Sequence, residues 1–277
     1  MTNRCPGPHA KHPYLIAHTP YLAPHTLLLL ACAVLSLVSF GQTKSFYIVF
    51  VGNSITYGAG LKKPVAEAPP VHAIKWLQVR NPSWDFKFSN QGVSGATTVD
   101  FLPETKKLFP RVVQGAELYK KQKDATIVFS IILGTNDSAI EGPNGAPISP
   151  SNYERNIKII IDSLLASFPG SIFVLHRPTW YSTNTYNRSK YLEEGLQRLQ
   201  SYFPVLDNIV FSYKTSHPYQ VFAGDRSAFD YFKNNSSRLF QQEKGNAGVF
   251  LLHPNEAGAK ELGERWAKSL DSALSEL

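Results

Sequence analysis

The chain has 277 residues, 43% of them hydrophobic and 18% charged, a balance that excludes disorder for most of its length and allows one large domain or two small ones. Its formal net charge is +7, yet the lysines and arginines form no block, so nothing points to nucleic acid as a partner. No fixed-period repeat is visible, which sets aside solenoids and propellers.

The first forty residues differ from the rest. Thr26 to Phe40 (TLLLLACAVLSLVSF) runs uncharged for about fifteen residues, behind a segment whose only charges are Arg4 and Lys11. A basic start, an apolar middle and small residues at Ser39 and Gly41 predict a secretory signal peptide over residues 1–41. The apolar run is short of the roughly 20 residues that a membrane span needs, so an uncleaved anchor is the lesser reading. The chain from 42 to 277 is then one exported or periplasmic domain. Both cysteines (Cys5 and Cys32) and the only methionine leave with the leader, which excludes disulfides, thiolate catalysis and cysteine-zinc sites. The net charge falls by two, to +5, and the remaining histidines are His72, His176, His217 and His253.

Beyond the leader, strand-like and helix-like segments alternate. Phe46–Val51 (FYIVFV) is wholly apolar and predicts a strand buried on both faces. Helical spacing follows over Pro70–Arg80, then a strand over Trp84–Ser89 and a helix near Leu102–Lys121. Ala125–Leu133 is the strongest strand signal. Ser151–Phe168 predicts an amphipathic helix capped by Ser151 or Asn152 after Pro150. A strand at Ser171–His176, a helix at Tyr191–Tyr202, a strand at Tyr219–Phe222 and a helix at Ala257–Leu274 complete the series. Strands separated by helices imply right-handed crossovers. The fold class is therefore α/β, a three-layer α/β/α sandwich around a mostly parallel sheet of about five strands.

Four short segments carry the chemistry. Val51-Gly52-Asn53-Ser54-Ile55-Thr56-Tyr57-Gly58 follows the first strand, Asn90-Gln91-Gly92-Val93-Ser94-Gly95 the second and Leu133-Gly134-Thr135-Asn136-Asp137 the third. Leu252-His253-Pro254-Asn255-Glu256-Ala257-Gly258 opens the last helix. Parallel strands share one carboxyl edge, so Ser54, Gly95 and Asn136 converge there, within reach of the loop carrying His253. Together, and in this order, the segments resemble the four sequence blocks of the SGNH hydrolases, the GDSL-type esterase superfamily. Within it, the chain looks most like bacterial carbohydrate esterases and sialate O-acetylesterase-like proteins. The resemblance implies Ser54 as nucleophile and His253 as general base, with no cofactor and no metal. It also implies an oxyanion hole formed by the Ser54 and Gly95 backbone N–H groups and the Asn136 amide.

The residue types suit acyl transfer. A serine hydroxyl needs a neighbouring imidazole to take its proton, and preorganised N–H donors stabilise the oxyanion that forms. Glycine at 95 keeps a Cβ away from the substrate. His176, Arg177 and Trp180 follow the fourth strand and are candidate substrate-binding residues; Tyr181 and Tyr186 offer further sugar-stacking faces. Asp137 is expected to brace its loop.

One position departs from the superfamily. Many members have aspartate three residues before the histidine, where this chain has Phe250. Either a Ser-His dyad operates, or an acid arrives from elsewhere, Asp225 and Asp230 being the nearest upstream aspartates; the expectation is that no single carboxylate is essential. The partner expected is a glycan or other small ester. The rival readings are a lipid- or aryl-ester hydrolase, with Ile55, Tyr57 and Leu61 as acyl pocket, and a non-catalytic glycan-binding relative.

Overall fold

A strand with no polar side chain needs cover on both faces. The computed structural model, which describes residues 1–3, 7, 43–120 and 125–277, gives Phe46–Val51 that cover. The predicted leader lies outside the described residues. All elements below belong to the unit Thr43–Leu277.

β1 (Ser45–Gly52) is followed by α1 (Ser54–Tyr57), α2 (Pro64–Glu67), α3 (Pro69–Arg80), β2 (Asp85–Gly92) and α4 (Phe109–Lys120). Then come β3 (Ala125–Ile132), α5 (Pro150–Ser167), β4 (Ile172–Leu175), α6 (Leu192–Ser216) and β5 (Val221–Ala223). α7 (Ala228–Asn234), α8 (Ser236–Leu239), the hairpin β6 (Glu243–Gly245) and β7 (Gly248–Phe250), and α9 (Glu256–Ser275) complete the unit. β1 to β5 form one parallel sheet in the order β2-β1-β3-β4-β5. The two-residue side-chain period of β1 sends Tyr47, Val49 and Val51 to the face covered by α4, α5 and α6. It sends Phe46, Ile48 and Phe50 to the face covered by α3, α7 and α9, where the fully buried Trp266 stacks on Phe50. The predicted three-layer architecture is what the chain adopts. Among the described residues, no helix is long and apolar enough to cross a membrane.

This strand order fixes where a ligand goes. The chain leaves β1 to one side for β2 and returns to the other side for β3, so the crevice opens at the carboxyl ends of β1 and β3. Ser54 follows the first and Asn136 the second.

Several boundaries differ from the sequence reading. β2 extends through Asn90, Gln91 and Gly92, pairing with β1 to its last residue. The segment before α4 is instead two 3₁₀ turns, Thr98–Phe101 and Pro103–Thr105, because Pro103 holds Leu102 extended. α5 is capped by Ser149, whose hydroxyl accepts the Asn152 N–H at 3.2 Å. α6 continues through Pro204 to Ser216, since Leu206, Ile209, Val210 and Tyr213 extend its buried stripe and outweigh the proline. The hairpin β6–β7 and the helices α7 and α8 had no counterpart in the sequence reading.

Gly52 and Gly92 face each other at the end of the ladder. A Cβ on Gly92 would stand 2.8 Å from the Thr56 carbonyl carbon and 2.9 Å from the Asn53 oxygen. The glycine thus lets β2 lie directly against the turn that carries Ser54. Gly92→Ala should destabilise the fold by about 1–3 kcal/mol, as overpacking does, measured as a lower denaturant midpoint with unchanged m-value.

Candidate active site

β1 ends in an abrupt turn. Asn53 is extended, and its Oδ1 accepts the Ile55 N–H at 3.0 Å, capping α1. Asn90 braces the turn from β2, donating its Nδ2 to the Thr56 carbonyl at 2.8 Å. Ser54 is held almost buried at the first position of α1.

The loop before α9 brings His253 over this turn. Gln241 fastens it, since its Nε2 donates both to Ala59 O at 3.0 Å and to Pro254 O at 2.9 Å. The two expected catalytic residues meet here, with His253 Nε2 2.9 Å from Ser54 Oγ. On the far side of the ring, Nδ1 lies 2.9 Å from Glu243 Oε2 and 3.0 Å from Oε1. An ionised carboxylate only accepts, so Nδ1 carries the ring proton and Nε2 presents its lone pair to the serine. The His253 backbone N–H also donates to Glu243 Oε1, at 3.1 Å.

Glu243 corrects the sequence reading. A carboxylate does reach the histidine, from β6 of the hairpin and not from the position of Phe250, which is buried in β7 opposite Glu243. Neither upstream aspartate reaches it. Asp225 accepts from the Ser227 and Ala228 N–H groups and the Ser227 hydroxyl, at the start of α7, and Asp230 is exposed on that helix. The signal available in the sequence was Gly245-Asn246-Ala247-Gly248, a hairpin turn that folds Glu243 back toward the residues before His253.

The loops that carry Asn136 and Gly95 are tied to each other. The Asn136 Nδ2 donates to Ala96 O at 2.8 Å, and the Tyr191 hydroxyl donates to Asn136 Oδ1 at 2.7 Å. Ala96 O only accepts, which settles the amide orientation and leaves one N–H of Nδ2 uncommitted by these bonds. Glycine at 95 also has a backbone reason. A Cβ there would meet nothing within 4 Å, but φ is +78°, in the left-handed region that favours glycine. Beside it opens a cavity of about 370 Å³ with a polar wall that includes Ser94, Asp100, Lys107, Asn144 and Ser189.

Asp137 braces the same loop, as expected. Its Oδ1 accepts the backbone N–H and the hydroxyl of Thr98, while its Oδ2 is buried without a partner. Burial raises its pKa to about 6.

The other candidates make the following contacts. His176 is buried between Ser130, whose Oγ lies 3.0 Å from its Nε2, and the Asp225 N–H, which donates to its Nδ1 at 3.0 Å. Both ring nitrogens are thus engaged, and burial lowers its pKa to about 4. Arg177 turns to α6, pairing with Asp207 at 2.7 Å over the Phe203 ring. Trp180 packs edge-on against Phe240 at 5.8 Å. Tyr181 is fully buried against Ser138, and the Tyr186 ring lies under the Lys190 ammonium.

A serine hydroxyl on a histidine whose far nitrogen rests on a carboxylate is equipment for acyl transfer. The chain is accordingly a serine hydrolase acting on carboxylic ester bonds. Residues 50–261 match the model of the GDSL-like lipase/acylhydrolase family, and the chain belongs to that family. No curated protein matches it in sequence. Among solved structures, it resembles the Mycobacterium smegmatis aryl esterase at TM-score 0.52 and 15% identity, over 82% of this chain and 99% of that one. It resembles Est24, a carbohydrate acetylesterase from Sinorhizobium meliloti, at TM-score 0.53 and 12% identity, over 82% and 98%. It spans half the length of a two-domain esterase active on acetylated mannans, covering 83% of this chain and 50% of that one at TM-score 0.49 and 16% identity.

Two predictions follow from this geometry. Glu243→Gln should lower kcat by roughly a hundred- to ten-thousandfold in a steady-state ester assay, while Asp225→Asn and Asp230→Asn change it little. Asp137, with its pKa raised from 3.8 to about 6, favours the folded state while protonated. That contribution is complete below the unfolded value and lost as pH rises through about 6. Wild type should therefore lose stability relative to Asp137→Asn between pH 4 and pH 7, by at most about 3 kcal/mol, in paired urea titrations; parallel curves would contradict it.

Proposed function

We propose that the protein is an exported esterase that removes short acyl groups, chiefly acetyl, from carbohydrates. The Ser54–His253–Glu243 relay supports the catalytic part. Ser54 Oγ attacks the ester carbonyl carbon while its proton passes to His253 Nε2, and Glu243 stabilises the resulting imidazolium. The Ser54 and Gly95 N–H groups and the Asn136 amide receive the oxyanion. Collapse breaks the bond to the sugar oxygen, which takes the proton from His253 and leaves. Water then attacks the acyl carbonyl, giving its proton to His253; collapse breaks the bond to Ser54 Oγ, which takes that proton back from His253 as the carboxylic acid leaves.

The observation that favours a sugar alcohol is the cavity beside Gly95, which sets hydroxyl, amide and charged groups among Val93, Leu108 and Pro143, a mixed lining that suits the hydroxyls and the apolar faces of a sugar. The lipid-ester alternative has less support, because Ile55 is packed in the core with Phe50 and Trp266, and Tyr57 is half exposed. Export rests on the apolar leader with its basic start.

Initial rates on p-nitrophenyl acetate and p-nitrophenyl octanoate, for wild type and Ser54→Ala, test the reading. Acetate should be preferred, and the variant should lose at least about a thousandfold in rate. Wild type should also release acetate from acetylated oligosaccharides. Octanoate preference would select the lipid-ester reading, absence of turnover the binding-protein reading, and an active variant would remove Ser54 from the mechanism.

A further inference from the structure

Asn136 has a task that its side chain cannot perform unaided. A carboxamide has two faces of similar shape, and rotation of χ2 by half a turn would replace the donor with a carbonyl oxygen, which repels an oxyanion. Something must hold the nitrogen forward. The Ala96 carbonyl holds one N–H from below, at 2.8 Å, and the oxygen is held by the hydroxyl of Tyr191, 55 residues further along the chain, at 2.7 Å.

We infer that Tyr191 is a positioning residue for the oxyanion hole, fixing the Asn136 amide so that its remaining N–H points at the developing charge. This rests on the reading of Asn136 as an oxyanion donor. Tyr191 is built for the purpose. Its ring is 3% exposed and packs edge-to-face on Tyr181, with centroids 5.4 Å apart. Its backbone N–H donates to Thr185 O at 3.1 Å, and the next residue, Leu192, takes the left-handed φ of +55° at the start of α6. Burial pushes the phenol pKa well above its ordinary value, so the hydroxyl stays protonated and a donor throughout any working pH range. The Ala96 carbonyl can only accept and would repel the amide oxygen in the flipped rotamer, while the Tyr191 hydroxyl donates to that oxygen in the observed one, so the two contacts together select the rotamer.

The neighbouring tyrosine provides an internal control. The Tyr181 hydroxyl lies 2.9 Å from Ser138 Oγ on the same loop and in the same ring pair, but it does not touch Asn136. Both phenols brace the loop; Tyr191 alone addresses the donor.

A double-mutant cycle on p-nitrophenyl acetate tests the inference, with unfolding midpoints measured for each variant. Asn136→Ala should lower kcat by about a hundredfold or more, as loss of an oxyanion donor does. Tyr191→Phe should lower kcat by about tenfold with KM unchanged, since the donor remains but is no longer held. In the Asn136→Ala background, Tyr191→Phe should change kcat by less than about twofold, because there is no amide left to orient. Tyr181→Phe, with a comparable unfolding midpoint, should leave kcat within about twofold of wild type. Equal losses from Tyr191→Phe in both backgrounds, or equal losses from the two tyrosine variants, would mean a structural role and overturn the inference. Full activity in Asn136→Ala would instead overturn the oxyanion reading on which it rests. If Tyr191→Phe fails to fold, the test passes to binding of a boronic-acid transition-state analogue by Tyr191→His; unchanged affinity would overturn the inference.

Discussion

An imidazole accepts a proton from serine only if the correct nitrogen is bare and faces it. In this chain one carboxylate enforces that condition. Glu243 engages both the ring Nδ1 and the backbone N–H of His253, which fixes tautomer and ring orientation together and leaves Nε2 2.9 Å from Ser54. The fold brings Ser54, 199 residues from His253 in sequence, to the same place as the nearby Glu243–His253 pair. The parallel sheet delivers Ser54 at the switch point, Gln241 staples the histidine loop to the segment after α1, and the β6–β7 hairpin supplies the acid.

The opposite wall is a second, independent assembly. Asn136 follows β3, Gly95 follows β2, and the Asn136–Ala96 bond joins their loops. Beneath them Asp137 anchors Thr98, which in turn accepts the Asn156 amide from α5 at 2.9 Å. The half-satisfied carboxylate of Asp137 is costly where it lies. It ties the Gly95 side of the crevice to the third strand, one residue from the amide on which the proposed chemistry depends. Stability is thus given up beside the site and recovered in the two apolar layers, where Trp266, Phe129 and Phe173 are fully buried.

Much of this was legible in the sequence because local rules and global fold agree. The uninterrupted apolar runs of β1 and β3 announced a doubly covered parallel sheet, and the glycine- and asparagine-rich segments at their ends marked the crevice. Ser54 and His253 meet, as their motifs predict. Glu243 escaped because three-residue strands carry almost no periodic signal, and because the expected aspartate position drew attention to Phe250 and to aspartates upstream. His176 and Arg177 misled for a related reason. They do follow a strand, but His176 lies against Trp266 and the Arg177 guanidinium lies over Phe203 of α6, orientations that no spacing in the sequence reveals. Gly95 carries a constraint that spacing alone does not show, a left-handed backbone.

Turnover depends on Ser54 being the hydroxyl that His253 activates. Labelling the folded protein with a fluorophosphonate, followed by peptide mass spectrometry, examines that directly. A single adduct on the peptide containing Ser54, present in wild type and absent from His253→Ala, is the result expected. An adduct on another residue, or labelling that persists without His253, would contradict it.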